Sequence, residues 1–207
     1  DKMRTKSQLA HDAIEIEQQR IGEAVGSQDQ TAAAFGGFNR INFGGYRELE
    51  VTPLTISTEK MRNLQDHLML FFTGFSRNAS DIAQKQIEIT SSKTKELDIM
   101  VEICKEAEEL LISSENGFLE WGKLLNEQWK VKKSMTNLIT NTKIDEMYAK
   151  GISAGALGGK LLGAGGGGFM VFLVPPEKHE QIKVSLNTIL HVPFKFEFSG
   201  SQIVYYS

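Results

Sequence analysis

Apolar positions along the first twenty residues recur at helical spacing. Leu9, Ala13 and Ile16, with Ile14 and Ile21 less regularly, predict a helix over 6–22. Gly26-Ser27 interrupts it, and Ser27-x-x-Gln30 has capping-box spacing, so a second short helix is expected there, ended by Gly36-Gly37. Residues 38–43 and 46–52 read as two strands around Gly44-Gly45, a glycine-bearing hairpin turn, and Pro53 closes them. His67–Phe72 is an apolar strand stopped by Thr73-Gly74. Three helices follow, at about 78–92, 95–113 and 116–135. The second places Leu97, Val101, Cys104 and Leu111 on one face, and the third Phe118, Trp121, Leu125 and Gln128 or Trp129.

A short helix near 142–150 leads into a glycine tract. Phe169–Val174 then has the unbroken apolar character of a strand buried on both faces. Pro175-Pro176 punctuates, and 177–190 reads as a helix through Ile182, Leu186, Ile189 and Leu190. Phe194–Phe198 alternates strictly, as a strand with one wet face does. Gly200-Ser201 turns into a last strand, Ile203–Tyr206. The order strand, helices, strand, helix, strand, strand from residue 67 onward predicts an α+β fold, a mainly antiparallel four-stranded sheet covered by helices. Residues 1–56 form a helix and hairpin with too little apolar content to close a core alone.

Composition narrows the function classes. The 207 residues are 41% hydrophobic and 24% charged, with a net charge of −3, so the basic excess that phosphate-backbone binding needs is absent and nucleic acid is not an expected partner. The single Cys104 cannot form an internal disulfide, which suits a reducing, cytoplasmic setting. No apolar run approaches the roughly 18–20 residues of a membrane span, so no membrane partner is expected. His11, His67, His179 and His191 share no metal-ligand spacing, with one another or with Cys104, so no protein-held metal is expected. The chain starts at Asp1 without an initiator Met, and is expected to be a fragment.

Glycine carries the chemistry. Nine of the 19 glycines fall within residues 151–168. Gly159-Lys160 is followed by Leu161, and Ala154 stands where a Walker A motif needs its first glycine, so that motif fails. Gly163-Ala164-Gly165-Gly166-Gly167-Gly168 matches G-x-G-x-x-G, but a Rossmann loop follows its strand and this one precedes it. A protein-kinase loop would feed a strand bearing lysine, and Phe169–Val174 has none. Two readings remain from spacing alone: a phosphate-cradling loop, or a tight connection where helix and sheet backbones pack closely.

Gly159-Lys-Leu-Leu-Gly-Ala-Gly-Gly-Gly-Gly-Phe-Met170 resembles the third motif of the GHMP small-molecule kinases. Gly26-Ser-Gln-Asp-Gln30 resembles the segment before the first hairpin in bacterial sugar kinases of this family, and Phe72-Thr-Gly-Phe-Ser-Arg77 and Trp129-Lys-Val-Lys-Lys133 are similar to the branch that phosphorylates D-glycero-D-manno-heptose 7-phosphate. The resemblance implies a C-terminal GHMP-kinase domain at 57–207, preceded at 1–56 by the helix-and-hairpin tail of the nucleotide-binding domain. It implies ATP with Mg²⁺ as cofactors and a sugar or sugar phosphate as partner. The expected reaction puts a phosphoryl group on the anomeric hydroxyl of a heptose 7-phosphate destined for surface polysaccharide, with galactose, fucose or another hexose as the alternative substrate. It further implies Asp29 as the base toward the accepting hydroxyl, Ser27 and Gln30 beside the substrate, Gly163–Gly168 on nucleotide or phosphate, and Arg77 on the substrate phosphate.

Each of these has a structural alternative. Asp29 also suits the start of a helix through its dipole, and Arg77 a surface ion pair. Lys132 and Lys133 read first as a solvated helix face. The nucleotide loop of the N-terminal half is not in these residues, so a non-catalytic ligand-binding or assembly module is the competing expectation. A shortened N-terminal domain would also leave apolar surface that could make a homo-oligomer.

Overall fold

The computed structural model describes residues 3–44, 49–75, 79–113 and 117–205. Contacts divide the chain into two compact units, residues 1–55 with 195–207, and residues 56–194. The expected division placed 195–207 with the second domain; the contacts group these residues with the first unit instead.

In the first unit, helix α1 (Lys6–Glu15) widens into a π-type stretch over Ile16–Ile21. Its start is a true capping box, Thr5 with Gln8, each side chain bonded to the other's backbone N–H. Helix α2 (Gln28–Phe35) packs on α1. The capping box expected at its start does not form, because the Ser27 hydroxyl instead accepts from Gln18 Nε2 at 3.2 Å. Strands β1 (Asn39–Asn42) and β2 (Glu50–Pro53) pair antiparallel, with Asn39 opposite Pro53. Part of the expected Gly44-Gly45 turn lies outside the described residues.

Phe194–Phe198, expected as a sheet strand, joins no ladder. Phe196 packs edge-on against Phe38, ring centroids 5.1 Å apart, and the Glu197 carbonyl accepts from the Gly37 amide at 2.8 Å. The Glu197 carboxylate accepts from the amides of Ser199 and Gly200, which curls the chain and holds that carboxyl below its ordinary pKa. The expected strand at 203–206 is likewise irregular over its described residues.

The second unit is built on a sheet. Helix α3 (Thr58–His67), capped by Ser57, leads into β3 (Leu68–Phe72). Helices α4 (Ala79–Ile89), α5 (Thr94–Ser113), α6 (Phe118–Met135) and α7 (Thr142–Ser153) follow, then β4 (Gly158–Leu161), β5 (Phe169–Leu173), α8 (His179–Ser185) and the two-residue β6 (Leu190–His191). The order is β4-β5-β3-β6 with every neighbour antiparallel, so the expected α+β sheet forms.

Two of its strands differ from expectation. β4 was hidden because Gly158 and Gly159 have no side chains to alternate, and β6 because Leu190 closes an apolar helical pattern. α8 ends at Ser185, well short of the expected 190.

Met69 and Phe71 of β3, Met170 and Phe172 of β5, Trp129, Ile139, Ile144 and Ile182 form one buried cluster. On α5 the buried residues are Ile103 and Leu111, while Val101 and Cys104 of the expected face are exposed. The helix is turned because its stripe runs through Ile103, one position from the predicted one.

Candidate active site

Asp29 lies in the first turn of α2 and is exposed, free to meet a ligand. The segment before it is tied down from several sides. Gln18 Nε2 donates to the Val25 carbonyl at 2.9 Å and to the Ser27 hydroxyl, and Thr31 Oγ1 donates to the Ser27 carbonyl at 2.7 Å. Gln30 is turned inward and only 9% exposed, its Nε2 donating to Glu17 Oε2. Its Oε1 is buried without a hydrogen-bond partner among the described residues, a costly state for an amide oxygen. Glu17 was not singled out from sequence; its only signal was an acidic residue within an apolar stripe.

The glycine loop is the connection from β4 to β5. Gly163, Gly165, Gly166 and Gly168 have φ of +76°, +121°, +72° and +94°, a region L side chains enter only with strain. Elsewhere in the loop close approach decides: a Cβ on Gly167 would lie 2.5 Å from the Phe75 carbonyl oxygen.

The amides of Gly166 and Gly168 donate to the carbonyls of Ile139 and Phe75, and the Gly168 carbonyl accepts from Thr73 N–H and Oγ1, each at 2.9 Å. Gln86 Nε2 donates to the Ala164 carbonyl at 2.7 Å, and Lys132 Nζ donates to the Gly163 carbonyl. The amides of Gly163, Ala164, Gly165 and Gly167 have no partner among the described residues. Those donors, gathered over five residues, fit the phosphate group of a nucleotide. One tract thus holds both closely packed glycines and amides without a partner among the described residues.

Lys132 is not on a solvated face. Burial and the neighbouring Lys160 ammonium lower its pKa to about 8. Lys160 is also held below its usual range by burial, and its Nζ donates to Gln128 Oε1 at 2.6 Å. Lys133 pairs with Asp145 Oδ1 at 3.0 Å and lies over the Trp129 ring. Arg77 lies outside the described residues.

A cleft of about 340 Å³ opens between α7 and α8 beside Thr73 and Phe75, at the same end of the sheet as the glycine loop. Its cations, Lys143 and Lys150, are exposed, and Lys143 lies 5.2 Å from the Phe75 ring centroid. Among the described residues, no group of three or more His, Cys, Asp or Glu could hold a metal. No helix there is long and apolar enough to cross a membrane.

Residues 107–191, which contain the glycine loop and three of the four sheet strands, match the family described as "GHMP kinases C terminal". That stretch is a GHMP-kinase C-terminal domain. The chain is 35% identical over 175 residues to D-glycero-alpha-D-manno-heptose 7-phosphate kinase of Campylobacter jejuni, covering 83% of this chain and 50% of that protein. It is 28% identical over 159 residues to a mevalonate kinase of Pyrococcus abyssi, covering 73% of this chain and 43% of the relative. The crystal structure of a D-glycero-D-manno-heptose 1-phosphate kinase from Bacteroides thetaiotaomicron superposes with a TM-score of 0.63 at 27% identity, over 98% of this chain and 56% of that one. The chain thus spans about half the length of these GHMP relatives.

Proposed function

We propose that this chain is the C-terminal part of an ATP-dependent kinase acting on a phosphorylated sugar, with the anomeric hydroxyl of a heptose 7-phosphate as acceptor. The first unit is then the tail of the nucleotide-binding domain and the second the GHMP-kinase C-terminal domain. The observation that carries this reading is the β4–β5 loop, whose free amides suit a transferring phosphoryl group within a GHMP-kinase domain. The heptose phosphate kinases among the relatives support the substrate, and a cytoplasmic enzyme supplying surface-polysaccharide precursors follows from it.

Phosphoryl transfer needs an oriented oxygen nucleophile and neutralised phosphate charge more than covalent help. Asp29 serves the first need: its exposed carboxylate accepts a hydrogen bond from the sugar hydroxyl, aims that oxygen and takes its proton as the bond to phosphorus forms. Ser27 and Gln30 stand beside the sugar, at the start of the same helix. The amides of Gly163–Gly168 serve the second need, and Arg77 holds the phosphate the substrate already carries. Mg²⁺, bound with ATP, supplies further charge neutralisation.

The test is ADP release by the full-length protein across free and phosphorylated sugars, with Asp29→Asn beside it. Expected is turnover on a heptose 7-phosphate that falls at least ~10³-fold in Asp29→Asn, on the scale of a lost catalytic base, while ATP still binds. Unchanged turnover in that variant overturns the role of Asp29. Absence of turnover on every sugar supports a non-catalytic binding module instead.

A further inference from the structure

Helix α6 runs beside the edge strand β4 and bonds to the carbonyls that flank the strand and to a side chain from it. Asn126 Nδ2 donates to the Leu157 carbonyl at 3.2 Å, Lys160 Nζ from the strand reaches Gln128, and Lys132 Nζ reaches the Gly163 carbonyl. These contacts advance together along helix and strand, and the last falls on the first residue of the glycine loop. Lys132 makes no ion pair among the described residues. Its ammonium, half-buried beside a second lysine, is spent on one carbonyl.

The geometry points to Lys132 as a positioning residue for the glycine loop: its ammonium clamps the Gly163 carbonyl, sets the angle at which the loop leaves β4, and releases it when the charge is lost. A charge-assisted bond is about twice as strong as a neutral one, so the amine left by deprotonation clamps less well. Gly163 has φ +76°, no atom within 4 Å of a Cβ built on it and no partner for its amide, so no other contact among the described residues fixes its orientation. Gln86 from α4 holds the next carbonyl, Ala164, with a neutral amide that does not titrate. The Gly163–Gly167 amides are aimed by these two side-chain contacts and by the backbone bonds at Gly166 and Gly168.

The pKa of about 8 places the release just above neutrality. The charged group acting on Lys132 from β4 is Lys160. From α5 the Cys104 thiol acts on Lys160 in turn. Lys133, next along α6, is committed to Asp145 of α7. The inference rests on the kinase reading for its catalytic consequence, but not for the motion of the loop.

Hydrogen–deuterium exchange at a fixed pH of 7 in the chain itself reads the loop directly. In Lys132→Met the hydrogen-bonded loop amides, those of Gly166 and Gly168, are expected to exchange at least ~10-fold faster, with Lys132→Arg close to wild type, as loss of a charged clamp requires. In the full-length kinase, Lys132→Met should lower kcat/KM for ATP by ~10-fold or more and leave KM for the sugar unchanged. The wild-type pH profile should fall on its alkaline side near pH 8, and Lys160→Met should move that limb upward by removing the neighbouring charge. Loop exchange in Lys132→Met equal to wild type overturns the inference. If Lys132→Met does not fold, an alkaline limb that Lys160→Met leaves in place overturns it instead. Loosened loop exchange in a protein that phosphorylates nothing sustains the positioning role and removes the kinase reading alone.

Discussion

Gly158→Ala tests whether the glycines of the tract serve packing as well as ligand contact. A Cβ built on Gly158 lies 2.0 Å from the Gly122 carbonyl oxygen of α6, and one built on Gly122 lies 2.7 Å from the Leu157 carbonyl oxygen. An ordinary carbon–oxygen contact is about 3.3 Å, and both partners are backbone, so helix and strand must part by roughly 1 Å. That separation breaks the bonds of Asn126 to Leu157 and of Lys132 to Gly163, on either side of the strand. Two bonds lost at ~1 kcal/mol each, with ~1–3 kcal/mol of overpacking strain, give about 3–5 kcal/mol. For a unit of about 140 residues that is a fall in Tm of roughly 10–15 °C.

The control is Gly163→Ala, where φ is +76° and no atom lies within 4 Å of the new Cβ. Only left-handed backbone strain of about 1–2 kcal/mol applies there, a fall of roughly 5 °C. Thermal unfolding followed by circular dichroism decides. Equal Tm for the two variants would refute the argument that α6 and β4 are held together by the absence of a side chain.

The remaining expectations are read by urea unfolding. Phe172 is fully buried, and a Cβ on Gly151 would sit 2.5 Å from its ring. Phe172→Ala should therefore cost about 3–5 kcal/mol. Gly151→Ala should destabilise the wild type but much less the Phe172→Ala background, a coupling of at least ~1 kcal/mol in a double-mutant cycle; additive effects would contradict it. Lys132 gives a pH signature of the opposite sign to its effect on activity. Folded, it loses its proton near pH 8; unfolded, at the usual 10.5. Between those values the unfolded chain binds more protons, so stability rises with pH relative to Lys132→Met, by of the order of 1–2 kcal/mol. A wild-type-minus-variant difference that stays flat from pH 7.5 to 9.5 would show that the ammonium is not held out of water.

Where a sequence feature bears on its own neighbours, it reads through to the fold. Leu68–Phe72 and Phe169–Leu173 announce themselves as strands because their apolar runs are local, and they pair with each other across the sheet. The direction of the glycine loop, into a strand and not out of one, is local too, and it excludes a Rossmann loop. What stays hidden depends on a partner distant in the chain. Gly158 and Gly159 look like more loop until α6 and Phe172 are laid against them, and only then do they read as a strand chosen for its thinness. Lys132 looks like a wet helix face because helical periodicity cannot see a strand edge alongside. Phe194–Phe198 errs the other way: its alternation is that of a strand, but Phe38 and the Glu197 turn claim it before any ladder can.

The glycine excess accordingly resolves into two devices joined end to end. Gly151, Gly158 and Gly159 bring backbones and rings together, whereas Gly163, Gly166 and Gly168 bend the chain with positive φ. Gly165 does both, having positive φ and a Cβ position 2.9 Å from Ile139 Cα. The packing half sets β4 against α6, and that contact carries Lys132 to Gly163, the first residue of the bending half. A rigid seam thus aims a loop whose one side chain, the Ala164 methyl, cannot hold its shape.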